Sequence, residues 1–129
     1  MLINLVQKHK IDGIIATNTT VSRPETIKST NKFEEGGLSG KPLGDLSDRV
    51  LKFIAKETKN ELLLIGVGGI SSARDIYRKI KLGASLVQLY TALTFNNLSF
   101  LSDVKFQLSE LLKRDSFETI SDAIGIDIK

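Results

Sequence analysis

The run Leu62 to Val67, LLLIGV, is apolar at every position and stops at a glycine pair, Gly68 and Gly69. A short continuous apolar run bounded by turn residues suits a strand covered on both faces, the kind that parallel sheets contain. A helix signal follows at once. Ser72 and Asp75 stand in the Ser/Thr-x-x-Asp/Glu spacing of a capping box, the pattern runs to about Leu82, and Gly83 ends it. Parallel strands need a long crossover between them, usually a helix, so a buried strand feeding straight into a helix restricts the chain to an alternating α/β architecture.

Two more segments read as strands: SLVQLY at 85–90, and IDGIIATN at 11–18 with Ile11, Ile14, Ile15 and Ala16 expected inside. LINLVQKH at 2–9 suits the tail of a helix, and Lys8, His9 and Lys10 lie at its C-terminal end, where the dipole favours cations. Helical spacing returns from about Leu46 to Lys59, with Leu46, Val50, Leu51, Phe53 and Ile54 on one face and Asp45 or Ser47 as the cap. It appears again at about 98–113 and 118–124, the first burying Phe100, Leu101, Val104, Leu108, Leu111 and Leu112. Residues 17–45 lack periodicity and hold both prolines, Pro24 and Pro42, with Gly36, Gly37, Gly40 and Gly44. A span of that length without elements is uncommon inside a compact domain and usually functional. The order predicts a parallel sheet with right-handed crossovers in a single domain over residues 1–129, whose partial character is what the resemblance below implies.

Composition narrows the chemistry. The 129 residues include no cysteine and one histidine, His9, so disulfides, thiolate nucleophiles and Cys- or His-rich metal sites are excluded. The formal net charge is +3, but Lys and Arg are spread along the chain beside Asp and Glu, and no basic stripe carries interleaved aromatics. No nucleic-acid partner is expected from that pattern. No apolar run nears the ~20 residues that span a bilayer, and the start lacks a signal-peptide core, so the cytoplasm is the expected place for this chain.

Ligands of parallel α/β structures collect at the carboxyl ends of strands, and three such ends here carry small or hydrogen-bonding residues: ATNTT, GVGG and YTA. Gly68 and Gly69 let backbone amides approach an anion, and the helix start beyond them adds unpaired N–H groups, which makes a phosphate seat. Gln88, Leu89, Tyr90 and Thr91 could complete the cradle. The alternative for the glycine pair is a tight strand-to-helix turn. The Asn18 carboxamide offers a donor and an acceptor to a ring edge that alternates C=O and N–H, the alternative being a local Asx turn with Thr19. GGLSG at 36–40 fits a lid hinge equally well. Arg23, Lys41 and Tyr77 read as surface or packing residues.

Four blocks, DGIIATNTT (12–20), GGLSGKPL (36–43), IGVGGISSARD (65–75) and GASLVQLYTAL (83–93), together resemble the C-terminal part of dihydroorotate dehydrogenase, in its quinone-dependent class 2 form. The resemblance covers residues 11–95 and implies a fragment, about half, of an FMN-containing (β/α)8 TIM barrel. It implies an oxidoreductase, a flavoprotein that oxidises dihydroorotate to orotate in de novo pyrimidine (UMP) biosynthesis and passes electrons to quinone. By the same resemblance Thr17 contacts FMN, and Asn18 and Thr19 bind the dihydroorotate or orotate ring. Gly40 lies against the flavin, Gly68 and Gly69 hold its phosphate, and Tyr90 and Thr91 finish that pocket. Full-length class 2 members are associated with the inner membrane.

A complete barrel needs on the order of 250 residues and eight strands. The family's catalytic base, a serine, belongs to the upstream half, so no catalytic residue and no metal ligand is nominated here, and the chain alone is expected to be inactive. Three strands also leave two unpaired edges. A missing N-terminal half or a second copy of the chain is the expected partner. The competing expectation is a non-catalytic phosphate- or FMN-binding module, or an inactive gene remnant; TNTT with GGLSGKPL argues against a different phosphate-binding barrel, which needs neither block.

Overall fold

The computed structural model describes residues 2–25, 27–97 and 99–128. A short helix α1 (Leu2–Lys8) leads into strand β1 (Gly13–Ala16). A long connection with two 3-10 turns (Thr30–Phe33 and Lys41–Leu43) reaches helix α2 (Gly44–Glu57). Strand β2 (Leu63–Val67), helix α3 (Ala73–Lys81) and strand β3 (Leu86–Gln88) follow, then helices α4 (Thr91–Phe95), α5 (Ser99–Arg114) and α6 (Ile120–Ala123). The three strands form a parallel sheet in the order β1-β2-β3, with Ile15 beside Ile65 and Ile65 beside Leu86.

Helices cover one face of this sheet. On that side Ala16, Leu64 and Ala84 meet Leu51, Ile54 and Ala55 of α2 in one core cluster. A second cluster joins Ile70, Ile76, Tyr77 and Ile80 to Val104, Leu112 and Ala123, so α5 and α6 pack on the outside of α3. The opposite face is open. Ile15 is 58% exposed, Leu63 43% and Leu86 57%. The apolar run of β2 therefore matches a two-face strand of which these residues cover one face only, and the expected burial of Ile11 and Ile15 does not hold, since Ile11 too is exposed. Successive strand residues point to opposite faces, so burying Ala16 and Leu64 turns their neighbours outward.

Several boundaries and faces also differ. Helix α2 begins two residues earlier than its apolar spacing suggests, and neither Asp45 nor Ser47 caps it: Leu43 is the N-cap residue and makes no side-chain cap bond. Its buried side runs through Ser47, Leu51, Ile54 and Ala55, while Phe53 is half exposed. Helix α3 is capped as expected, by Ser72 Oγ accepting from the Asp75 N–H. Helix α5 buries Val104 and Leu112, whereas Leu101 lies at the surface; Leu98, at its expected start, is outside the described residues. The last helix is a four-residue turn held by the Thr119–Asp122 capping box. Beyond it the chain closes the end of α3, with the N–H of Gly125 and Asp127 donating to the carbonyls of Ile80 and Lys81.

The long connection is ordered by one side chain. Arg23 donates to the carbonyls of Thr20, Lys32, Glu34 and Gly36, gathering both ends of the 20–36 excursion, and Thr20 and Leu38 form an antiparallel bridge. Five donors in a fixed fork suit arginine to this work.

A clasp between α3 and α5 makes stability depend on alkaline pH. The Tyr77 hydroxyl donates to Asp115 Oδ2 at 2.8 Å. Burial, then the hydrogen bond and charge of Asp115, push the Tyr77 hydroxyl up to about 12 from 10.0. Arg114 first, and then Tyr77, hold the Asp115 carboxyl at about 2. A raised tyrosine pKa means that the folded chain binds this proton more tightly than the unfolded chain does, so its contribution is complete below pH 10.0 and is lost toward about 12. Thermal unfolding of Tyr77→Phe should show a lower Tm at neutral pH and a shallower fall from pH 10 to 12. Parallel profiles for the two proteins would exclude the clasp as the cause.

Candidate functional site

The carboxyl ends of the strands converge on one cavity of about 190 Å³. Thr17, Asn18 and Thr19 enter from the end of β1, Val67, Gly68, Gly69 and Ile70 from β2, and Gln88, Leu89, Tyr90 and Thr91 from β3. Ser39, Gly40 and Leu43 close it from the long connection. Every nominated position, Thr17, Asn18, Thr19, Gly40, Gly68, Gly69, Tyr90 and Thr91, lines this one space. Ser39 and Leu43 were not singled out from the sequence, although Ser39 lies inside the GGLSG block. The volume is below the ~300 Å³ of complete small-molecule sites, and Tyr90, 81% exposed, leaves the space open on its side.

Local physics explains each wall. The peptide between Ala16 and Thr17 is cis, and the Thr17 N–H donates to the Val67 carbonyl, which ties the end of β1 to that of β2. Thr17 Oγ1 is buried and has no hydrogen-bond partner among the described residues. Nearly all buried polar groups find a partner, so this hydroxyl marks a polar position at the cavity wall. The Asn18 carboxamide accepts from the Thr19 N–H at 2.7 Å, so its oxygen serves the local turn while its Nδ2 makes no protein hydrogen bond among the described residues. Thr91 Oγ1 donates to Ser39 Oγ at 3.2 Å, joining the glycine block to the end of β3.

The glycine corner is set by packing as well as by φ. Gly69 has φ 75°, and a Cβ there would overlap the backbone of Gly44 at the start of α2. A Cβ on Gly68 would lie 3.0 Å from Leu43 Cδ2. The helix start beyond the corner is less available than the sequence suggests. Asp75 Oδ2 accepts from the Ser71 N–H and from the hydroxyls of Ser71 and Ser72. Burial alone raises the Asp75 pKa, but these hydrogen bonds and the Arg78 charge outweigh it and hold the carboxyl below its usual range. A carboxylate thus already occupies the first turn of α3, and the amides left for an anion are those of the glycine corner itself. Asp75 loses its charge only as pH falls through this lowered value, and its capping contribution to stability goes with it.

Parallel strands with helices on the outer face and a site at their carboxyl ends define a segment of a (β/α)8 barrel. The profile of the dihydroorotate dehydrogenase family matches residues 1–112, and the chain belongs to that family. It is 52% identical over 117 residues to the mitochondrial dihydroorotate dehydrogenase (quinone) of Mus musculus, covering 91% of this chain and 30% of the relative. It is 47% identical over 126 residues to the dihydroorotate dehydrogenase (quinone) of Natronomonas pharaonis, covering 98% and 35%. A crystal structure of DHODH from Eimeria tenella in complex with ferulenol superposes with a TM-score of 0.94 at 36% identity, over 98% of this chain and 33% of that one. The chain spans about a third of the length of the curated relatives it matches, as a C-terminal fragment. Among the described residues no helix is long and apolar enough to cross a membrane, and no group of three or more His, Cys, Asp or Glu could hold a metal ion.

Proposed function

We propose that these residues form the FMN-phosphate and substrate-ring part of a quinone-dependent dihydroorotate dehydrogenase, the oxidation of dihydroorotate to orotate being completed by groups that the segment does not supply. The observation that carries this reading is the single cavity at which positions from four separate sequence blocks meet, in a chain of this family. The residues fit the cofactor. Glycines at 68 and 69 leave backbone amides close to an anion, Thr91 offers a hydroxyl beside them, and the orphaned hydroxyl of Thr17 offers a donor or acceptor at the wall. Bound FMN would supply the two-electron acceptor for hydride from the substrate.

The chain's own groups bind and orient. Gly40 and Ser39 form the side that would lie along the flavin, and Tyr90 and Thr91 border its phosphate end. Asn18 and Thr19 present the carboxamide Nδ2 and a hydroxyl to a ring carrying alternating carbonyl and N–H groups. The cavity lining holds no Asp, Glu, His or Lys among the described residues, and no serine of this segment stands in the base motif that the family resemblance implies, so proton abstraction is assigned to residues outside it. The open apolar face of the sheet marks where the rest of such a barrel would pack.

Titration of the 129-residue chain with FMN, followed by quenching of flavin fluorescence, tests the reading. Saturable quenching that Thr17→Val weakens supports it. Absence of saturation up to millimolar FMN would leave the chain as a family member without a working cofactor site.

A further inference from the structure

We propose that Lys79 is a positioning residue for the phosphate end of the site, acting through Ser47 on the carbonyl of Gly68; this rests on the FMN reading above. Lys79 is 1% exposed and lies on the side of α3 that faces α2 and β2. Its stem fills the space beside Gly66, where a Cβ would come within 3.1 Å of Lys79 Cδ. Its ammonium donates to Asp48 Oδ1 and to Ser47 Oγ, each at 2.7 Å. Arg78 Nε holds the other oxygen of Asp48 at 2.6 Å. Lysine is almost never fully buried unless paired, and a buried ion pair is weak evidence for stability alone. The geometry gives this one a second task.

Ser47 Oγ lies 2.9 Å from the Gly44 carbonyl and 2.8 Å from that of Gly68. Because Oγ accepts from Lys79, its single proton is directed to these carbonyls. The Gly68 carbonyl and the Gly69 N–H belong to one trans peptide plane and point in opposite directions. Fixing the carbonyl on Ser47 therefore turns the Gly69 N–H away from α2. That N–H has no protein acceptor among the described residues, and Gly69 lines the cavity. The buried lysine, remote from the cavity, thus sets the direction of an amide that a phosphate would use. A preorganised donor is worth more to an anion than one that must first reorient.

The test compares FMN with riboflavin, which lacks the phosphate, on the 129-residue chain and its Ser47→Ala, Ser47→Thr and Lys79→Met variants. Ser47→Ala should weaken FMN about tenfold while leaving riboflavin unchanged, and Ser47→Thr should restore FMN binding. Lys79→Met should follow Ser47→Ala; if it fails to fold, Ser47→Ala still decides, since Asp48 keeps both of its cations. An FMN-to-riboflavin ratio unmoved by Ser47→Ala overturns the proposal and leaves the FMN reading standing. Wild-type chain that binds neither flavin overturns both. Amide NMR without flavin gives a separate readout: the Gly69 15N resonance should shift in Ser47→Ala and return in Ser47→Thr, and a resonance that stays in place would refute the relay.

Discussion

Thr17→Val is expected to stabilise the chain while weakening its hold on flavin. The hydroxyl it removes is buried without a partner among the described residues, and leaving such a group unmade costs about 1–3 kcal/mol. Valine keeps the shape and β-branching of threonine and removes the desolvation penalty, so the Tm should rise by several degrees. Flavin affinity should fall about tenfold, equivalent to about 1.4 kcal/mol, as one hydrogen bond to the cofactor is lost. Calorimetry and fluorescence titration on the same preparation check the two directions together. A loss of stability would mean that the hydroxyl already has a partner. Unchanged affinity would remove Thr17 from the cofactor site.

Gly69→Ala should be a severely damaging single-methyl change. The added carbon would overlap the backbone of Gly44, where no flexible side chain can give way, and φ is 75°. Positive φ alone disfavours a non-glycine residue by about 1 kcal/mol, and forced overpacking adds typically 1–3 kcal/mol more. Against the 5–15 kcal/mol of a typical domain, such a change removes a large share of the stability. Gly36→Ala is the control: φ is 120°, yet nothing lies within 4 Å of its Cβ, so only the backbone term remains. Urea melts should place Gly69→Ala below Gly36→Ala by about 1–3 kcal/mol, the size of that packing term. Equal melts would show that α2 can retreat from the corner. This result also warns against probing the corner with Gly69→Asp, whose effect would report packing before charge.

The alternation of elements and the cap of α3 are legible in the sequence, because each rests on a local signal: a run of apolar residues, a serine three before an aspartate. The eight nominated positions share one cavity because glycines and short polar residues collect at strand ends, and their binding roles are part of the proposal above. What it misplaced depends on partners far along the chain. Phe53 shares the apolar spacing of α2, yet the sheet selects Ser47, Leu51 and Ala55, and spacing alone does not say which of two overlapping stripes faces inward. The buried Lys79 was invisible for the same reason. Its neighbours Ser47 and Asp48 lie more than thirty positions earlier, and a lysine in a charged helix reads as surface. Ile11 and Ile15 show the opposite error, apolar residues expected inside that these elements leave uncovered.

The open face of the sheet gives the segment the character of an amphiphile. One side is a finished layer of helices with charged outer surfaces; the other offers Ile15, Leu63 and Leu86 to water between two strand edges with free backbone groups. Uncovered apolar surface between two strand edges is the kind of face that another layer of structure covers in a folded protein. In a closed barrel this face turns inward, so the residues that make the layer sticky by itself are those that would pack against the facing strands.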